Sequence, residues 1–350
     1  MGNQINDAVM ALLPTMGIEE RKAALESLRR IIDEEACGIA KAEAGDRPVA
    51  CPRCGSVSFV RRGRDGLGKQ RYSCRDCGRS FNGSARKIMA TTKLPGSTWM
   101  RYAECFVDRK PLRDCAAECH VSLKTSFFMR HRILEALAKR QPAFRADAQC
   151  GAQLDETSFR ESFKGNHTRS SFKMPRPARK RGGKVAAAER IGVMTGINDA
   201  GDIFYSFTSR GINAGRRAVR DSLAGMIEKG AVIATDDAHS YLGLFGDMGV
   251  SEHIVCPSKG HGLNRVNSMH ARMKEFFRPF KGVATKHLES YLAWFKWAWS
   301  YGWSRRQRDM AGLAMRQIHD STYDTTWRRY RDKPLVFFGY WEDLRISRLG

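Results

Sequence analysis

The residues best placed for chemistry are two aspartates and a polar stripe along one helix. In the segment NRVNSMHARMK, helical spacing puts Asn267 and Lys274 on one face with His270 beside them. Asp155 lies in the extended segment GAQLDETSF, and Asp236 follows the apolar run AVIAT. Two carboxylates at strand ends and an amide on a helix offer the oxygen ligands that Mg²⁺ or Mn²⁺ takes. This pattern predicts a catalytic divalent-cation site.

Neighbouring acids and the histidine admit other interpretations of this site. Glu156 and Asp237 each follow a candidate ligand, but alternation along a strand directs them to the opposite face. Glu156 is the main reserve ligand, and Glu275 is a second reserve that lies off the Asn267 face of the helix. His270 could orient the leaving group, although a packed histidine is the commoner role for a single imidazole.

A second metal site is predicted near the N-terminus, within CPRCGSVSFVRRGRDGLGKQRYSCRDCGRSFN. Two CxxC pairs separated by nineteen residues have the spacing of a structural four-thiolate Zn²⁺ site in a zinc ribbon, and the ligands are Cys51, Cys54, Cys74 and Cys77. So small a unit buries too little apolar surface to fold without its metal. Five basic residues of its hairpin predict contact with DNA or RNA: Arg61, Arg62, Arg64, Lys69 and Arg71.

Charge and composition set the class of partner. The chain has 350 residues and a formal net charge of +23, which indicates a polyanion such as nucleic acid. It has no apolar run long enough for a transmembrane span and no secretory signal at its start, so we expect no membrane partner. Its ten cysteines indicate metal ligands and buried thiols in a reducing compartment. We therefore expect a cytoplasmic protein, associated with the nucleoid when bound to DNA.

Between the ribbon and the aspartates, PLRDCAAECHVSLKTSFFMRHRILEAL resembles a helix-turn-helix. Cys115 and Cys119 would face inward, and Ser122 would cap the second helix. That helix has four basic residues suited to phosphates or a DNA groove: Lys124, Arg130, His131 and Arg132. An ordinary helical hairpin is the alternative interpretation, and a metal site at His120 and Cys119 is a further, less favoured one.

The order of elements predicts an α+β multidomain protein, in which a zinc ribbon and a helix-turn-helix-like region precede an α/β domain. The predicted divisions are a helical N-terminal segment (1–46), the zinc ribbon (47–83), a helical DNA-binding region (84–145), the catalytic domain (146–305) and a C-terminal tail (306–350). A basic, Pro- and Gly-rich loop at 164–190 is either solvated or a phosphate-contacting arm. The role of 306–350 is not readable from its aromatic and basic composition.

Taken together, these motifs resemble the ISXO-like group of insertion-sequence transposases. The matching segments are CPRC, CRDCGRSF, LDETSF, TDDAHSY, LNRVNSMHARMK and FKGVATKHLESYLAWF, which span about residues 48–300. The resemblance implies an RNase-H-like fold that presents Asp155 and Asp236 side by side, Asp236 being chosen because Tyr241 stands five residues on. It places Asn267 where most DDE enzymes have glutamate, and Lys274 on the same helix face.

The resemblance also implies an activity. The chain would bind the terminal inverted repeats of its element as double-stranded DNA, cleave them with a divalent cation and join them to target DNA, as a homo-oligomer. Two alternatives remain open at this stage. One is an inactive or domesticated zinc-ribbon DNA-binding protein, against which the intact set of candidate residues argues. The other is a metal-dependent nuclease without strand transfer.

Overall fold

The structure is a computed structural model, and it describes residues 17–21, 23, 48–66, 68–164, 190–211, 214–257, 262–302, 307–319, 321–326, 329–330 and 333. Most of the predicted N-terminal segment, nearly all of the basic loop and residues 334–350 of the tail lie outside the described residues. None of the helices in the described ranges has both the length and the apolar character needed to cross a lipid bilayer.

The ribbon is a small antiparallel sheet with its own aromatic core. Its strands are β1 (Phe59–Arg64), β2 (Gln70–Cys74) and β3 (Ser80–Asn82), with β2 in the middle. The rings of Phe59, Tyr72 and Phe81 pack against one another with centroids 5.4 to 5.9 Å apart. Three rings are a small core, and the unit depends on a further cross-link for stability.

Four helices follow the ribbon: α1 (Ile88–Thr91), α2 (Gly96–Val107), α3 (Leu112–Glu118) and α4 (Leu123–Ala138). The predicted cap of the helical hairpin is present, because the Ser122 hydroxyl accepts a hydrogen bond from the N–H of Thr125 at 3.1 Å. Cys115 and Cys119 are buried, as their inward position predicted.

A five-stranded sheet forms the centre of the catalytic region. Its strands are β4 (Ala152–Arg160), β5 (Arg190–Asn198), β6 (Ile203–Arg210), β7 (Val232–Thr235) and β8 (Glu252–Val255). Their spatial order is β6-β5-β4-β7-β8, with β4, β5 and β6 antiparallel and β7 and β8 joined in parallel to β4. Three antiparallel strands followed by two parallel strands give the predicted RNase-H-like fold.

Five more α-helices follow in the described residues, of which α9 packs on α2 and α4 rather than on the sheet: α5 (Arg216–Leu223), α6 (Leu244–Asp247), α7 (Asn264–Phe277), α8 (Leu288–Gly302) and α9 (Gln307–His319). On one face, Leu154 and Met194 pack with α5 and α6 in one cluster. On the other face, Val193 and Ile197 pack with α7 and α8 in another cluster. Strand β5 is buried almost throughout because helices cover both faces of the sheet.

The helices before the sheet share a core with those after it, which differs from the predicted division at 145/146 and 305/306. One continuous cluster includes Trp99 of α2, Ile133 of α4, Met269 of α7, Trp294 of α8 and Ala314 of α9. Helix α9 packs on α2 and α4, and α8 packs on α4. Because these helices lack separate cores, the helical region and the sheet domain form one packed unit.

The basic residues predicted to contact DNA from the second helix of the hairpin are mostly internal. Arg130, His131 and Arg132 are 0%, 3% and 5% exposed, respectively, so this part of the prediction was wrong. Arg132 donates to the carbonyl oxygen of Thr325 and lies 3.6 Å from the ring centroid of Tyr323. The C-terminal segment covers Arg132, which is therefore not available to nucleic acid.

Candidate metal-dependent active site and zinc ribbon

The pairing of β4 with β7 brings the two predicted aspartates together. These strands are parallel, with Ala152 opposite Ile233 and Gln153 opposite Ala234. The same offset, continued two residues further, places Asp155 opposite Asp236. Residues opposite each other on neighbouring strands project from the same face of the sheet, so the two carboxylates share one face.

Helix α7 begins over this face because a side chain of β4 caps it. The residue before the helix, Leu263, offers no side-chain cap. Instead, Oε1 of Gln153 accepts hydrogen bonds from the N–H groups of Arg265 (3.0 Å) and Val266 (3.2 Å). Gln153 lies two residues before Asp155 and therefore on the same face of the strand. Sequence analysis missed this residue, although the alternation that selected Asp155 also pointed to Gln153.

Thr195 of β5 links the backbone of Asp155 to His270 of α7. The Thr195 hydroxyl donates to the carbonyl oxygen of Asp155 at 2.9 Å and lies 2.6 Å from Nε2 of His270. A hydroxyl has one hydrogen, so this oxygen accepts from Nε2–H, which leaves Nδ1 as an acceptor. Nδ1 lies 3.5 Å from Oδ2 of Asp155. The packed alternative for His270 fits its burial, but the packing is against a candidate catalytic residue.

The burial and the charges of the site favour a bound cation. Burial and the neighbouring charge of Asp236 raise the pKa of Asp155 to about 6, although the backbone N–H of Glu156 and the ammonium of Lys274 oppose this rise. Burial, and secondly Lys274, lower the pKa of His270 to about 4, so the imidazole is neutral and brings no cation. Two close carboxylates in a partly buried site with too little positive charge fit a divalent cation.

Asn267 and Lys274 lie on the same helix as His270, one turn before it and one turn after it. Both side chains are exposed, whereas Met269 and Met273 of the intervening turns are buried in the core. This division agrees with the predicted polar stripe. The effect of Lys274 on the pKa values of Asp155 and His270 shows that its ammonium lies close to the carboxylate site.

The reserve residues lie elsewhere. Glu156 is on the α5 side of the sheet. Burial raises the pKa of Tyr241 there, and the charge of Glu156, followed by those of Asp155 and Asp236, adds to this rise. Burial and those two aspartates raise the pKa of Glu156 itself to about 7. Asp237 is exposed, and Oε1 of the exposed Glu275 pairs with Arg278 at 3.4 Å. None of these residues is better placed than Asp155 and Asp236 to bind a divalent cation.

The four predicted zinc ligands converge. The sulfur atoms of Cys51, Cys54, Cys74 and Cys77 all lie within 4.8 Å of one another. Hydrogen bonding from the N–H of Cys77, and less strongly from that of Asp76, lowers the pKa of Cys74 to about 7, which favours the thiolate that zinc binds. Each CxxC is followed by a glycine with positive φ, Gly55 at 76° and Gly78 at 68°, as the tight turns under the sulfurs require.

Within the residues that the structure describes, this is the one group of three or more cysteine, histidine or carboxylate side chains that lie close enough to hold a metal ion. His120 is exposed and Cys119 is buried, so the less favoured metal site at that pair receives no support. The five basic residues of the ribbon hairpin are all exposed, as a nucleic-acid contact requires: Arg61, Arg62, Arg64, Lys69 and Arg71.

Comparison with known proteins identifies both units. Residues 163–300 match the ISXO2-like transposase domain, and residues 48–78 match the InsA N-terminal domain, a zinc ribbon. In the order of the chain, the zinc-ribbon match comes first and the transposase-domain match follows it. The transposase domain match includes Asp236, Asn267 and Lys274, and Asp155 lies eight residues before its start. The matches fit the predicted order of a zinc ribbon followed by a transposase domain, and the four converging cysteines support structural zinc in the ribbon.

Similar proteins include products of mobile elements. The chain is 24% identical over 255 residues to an uncharacterized protein in transposable element ISH50 of Halobacterium salinarum, a match that covers 71% of this chain and 84% of the relative. A simian T-cell lymphotropic virus intasome in complex with a PP2A regulatory subunit aligns at 9% identity and a TM-score of 0.29, covering 65% of this chain and 78% of that chain. A pre-cleavage Mos1 transpososome aligns at 8% identity and a TM-score of 0.25, covering 63% and 79%.

The zinc site gives a direct test. Replacing Cys74→Ser removes one thiolate, and we expect loss of bound zinc and of the folded ribbon, because the three rings alone do not stabilise it. Zinc content by mass spectrometry and the amide dispersion of the ribbon measure this. Cys150→Ser, outside the cluster, should keep one zinc per chain. A Cys74→Ser protein with full zinc content would contradict the assignment.

The raised pKa of Asp155 predicts a pH-dependent stability. The Asp155 carboxyl has a pKa of about 6 in the folded chain, above its ordinary value of 3.8, so it destabilises the fold when it is ionised. The loss of unfolding free energy develops between those pH values and is complete above pH ~6. Without added divalent cations, Asp155→Asn should therefore stabilise the protein relative to wild type by about 1–3 kcal/mol more at pH 8 than at pH 4.

Thermal unfolding at the two pH values measures this difference. The exposed Asp237→Asn serves as the matched control, and its difference from wild type should not change with pH. An Asp155→Asn difference that is equally independent of pH would show that Asp155 is not strained by its surroundings.

Proposed function

We propose that this chain is an active DDE-type transposase that cleaves and joins DNA at a site formed by Asp155, Asp236, Asn267 and Lys274. The observation that carries the proposal is the parallel pairing of β4 with β7, which brings the segments of Asp155 and Asp236 together where His270 of α7 lies against Asp155. A metal-binding pair at the edge where α7 crosses the sheet suits phosphoryl transfer, which needs charge stabilisation and positioning more than covalent chemistry.

In this proposal each residue has a separate task. Asp155 and Asp236 would hold Mg²⁺ or Mn²⁺, with the carbonyl oxygen of Asn267 as a neutral ligand. A bound divalent cation supplies Lewis-acid stabilisation and a deprotonated nucleophile. The Thr195 hydroxyl, which contacts His270, holds the backbone of Asp155, and Gln153 fixes the start of the helix that presents Asn267. These contacts hold the ligand atoms in place before DNA arrives, which lowers the entropy cost of assembling the site.

Asn267 changes the charge of the site in a definite direction. An amide in place of a carboxylate makes the site one unit less negative, which weakens the attraction for cations and lessens the repulsion of the phosphodiester. Lys274 lies on the same stripe and raises the positive potential further, as a point charge for a phosphate near the reacting bond. We infer that this pair favours substrate binding at some expense of metal affinity.

End recognition falls to the ribbon in this proposal. The exposed cations of its hairpin are available for phosphates, whereas Arg132 of α4 is covered by the C-terminal segment. We further propose that the chain binds the terminal inverted repeats as double-stranded DNA and acts as a homo-oligomer, since joining two element ends to target DNA requires two sites in one complex. The mass of the complex formed with end-containing DNA, measured by light scattering, tests the oligomer.

Activity on DNA that carries the inverted repeats flanking this coding sequence tests the catalytic assignment. Asp155→Asn and Asp236→Asn should each lower cleavage with Mg²⁺ by at least about a thousandfold, because each removes a charged ligand of the catalytic cation. Lys274→Met should lower it less, by about ten- to a hundredfold, since it removes a single point charge. Asp237→Asn, which changes the exposed neighbour, should keep wild-type activity.

The products separate the proposed function from its alternatives. Strand joining that accompanies cleavage supports a transposase, whereas hydrolysis alone would indicate a nuclease. Binding of end DNA without either reaction would indicate an inactive DNA-binding copy. Full activity of Asp155→Asn would show that the carboxylate site is wrongly assigned.

A further inference from the structure

A large cavity lies away from the carboxylate site, between the α3–α4 hairpin and the turn that joins α7 to α8. Its volume is about 850 Å³, and its wall includes the short segment from Pro279 to His287. Four basic side chains in this wall are at most 6% exposed: Arg130, His131, Lys286 and His287. A cavity of this size accommodates a nucleotide-sized group as well as a single ion.

Arg130 is the most unusual group in the wall, because a guanidinium stays charged in proteins and this one is fully buried. Its guanidinium donates hydrogen bonds to neutral groups: the carbonyl oxygen of Lys110 at 2.6 Å, the Cys115 sulfur at 3.2 Å and the Tyr291 hydroxyl at 3.5 Å. Its Nε atom has no hydrogen-bond partner in the described part of the chain. The Trp294 ring centroid lies 5.0 Å away and gives a cation–π contact.

No protein anion balances this charge within the described residues. Hydrogen bonding with the Cys105 thiol, and burial, raise the pKa of Cys115, so its sulfur is a neutral thiol rather than a thiolate. Arg130 has no carboxylate within 4.0 Å in the same part of the chain. Burying an uncompensated cation is costly, and a protein tolerates it where an external anion completes the site.

Other charges around the cavity are also mostly positive. Lys286 lies in its wall, and three further cations reach its rim: Arg113, Lys164 and Lys281. One carboxylate, that of the exposed Asp114, lies at the same rim. The rings of His131 and His287 stand 4.3 Å apart, and burial is the main cause that lowers both pKa values, so they serve as neutral hydrogen-bonding groups.

Aromatic rings line the cavity beside the cations. Phe127, Phe280 and Tyr291 contribute to its wall, and the ring of Phe280 lies 5.8 Å from the Arg130 guanidinium. Flat rings next to buried cations match a nucleotide, which has a phosphate at one end and a base that stacks on aromatic side chains at the other. We propose that this cavity binds a nucleotide, with the phosphate at Arg130 and Lys286 and the base against these rings.

The position of the cavity relates it to the carboxylate site. The carbonyl oxygen of Ser162, just beyond β4, accepts from the N–H of Thr285 at 2.9 Å, and the Ser162 N–H donates to the Thr285 hydroxyl at 2.8 Å, next to Lys286. Seven residues of extended chain separate Ser162 from Asp155, which is roughly 23 Å. A DNA strand with a phosphate at each site would therefore span roughly six to seven nucleotides. The inference that the nucleotide belongs to a DNA strand rests on the proposed function, whereas nucleotide binding itself does not.

Calorimetric titration of the full-length protein with 5′-thymidine monophosphate, without added divalent cations, tests the site. Wild type should bind saturably, and thymidine without the phosphate should bind at least about tenfold more weakly. Lys286→Met and Arg130→Met should each weaken binding by about tenfold or more, because each removes a charged donor. Lys139→Met, which removes an exposed cation at the other end of α4, should leave binding unchanged.

Two further arms separate the possible failures. Asp155→Asn should bind the mononucleotide as wild type does, so loss of catalysis and loss of this site are distinguishable. A 5′-phosphorylated single-stranded hexamer should compete with the mononucleotide, and failure to compete would overturn the assignment to DNA in favour of a free nucleotide. Absence of saturable binding in wild type, or wild-type binding by Lys286→Met, would overturn the site, whether or not Arg130→Met folds.

Discussion

The register between β4 and β7 is the constraint on which the active site depends. A shift of one residue would turn either Asp155 or Asp236 toward α5 and would separate the two carboxylates across the sheet. The nine-residue pairing of β4 with β5 fixes β4 from its other side, and the Gln153 cap ties the same strand to α7. The strand thus sets the position of both carboxylates and of the helix above them. Burial of Asp155, and secondly the charge of Asp236, raise the pKa of Asp155 as a consequence of this arrangement.

Local patterns in the sequence predicted those parts of the site that depend on local spacing. The CxxC pairs identified Cys51 and Cys74 as zinc ligands, and the polar stripe of α7 placed Lys274 on the exposed side of a helix that is buried on the other. Long-range contacts were not predictable in this way. Gln153 caps a helix more than a hundred residues further along the chain, and His270 contacts Asp155 across a similar separation. Such contacts follow from the sheet and helix arrangement, which only the folded chain defines.

The misassignment of α4 has a physical cause. Lys124, Arg130 and Arg132 look alike in a sequence, and a basic helix after a tight turn is typical of DNA recognition. In the folded chain, the aromatic residues of α8 and of the C-terminal segment surround Arg130 and Arg132, since a guanidinium packs well on aromatic rings. The net charge of +23 therefore divides into an exposed part, which includes the ribbon hairpin, and an internal part that lines a cavity. The helices on both sides of the predicted boundary at 145/146 share one core, and this packing encloses the internal cations.

The most direct test of the account is a Mn²⁺ titration of the protein bound to end-containing DNA, comparing Asp155→Asn with Glu156→Gln. These adjacent substitutions each remove one carboxylate charge, but they lie on opposite faces of the sheet. The account predicts that Asp155→Asn weakens Mn²⁺ binding by at least about tenfold, while Glu156→Gln binds Mn²⁺ as wild type does. The reverse result, with binding lost in Glu156→Gln and kept in Asp155→Asn, would contradict the face on which the site is placed.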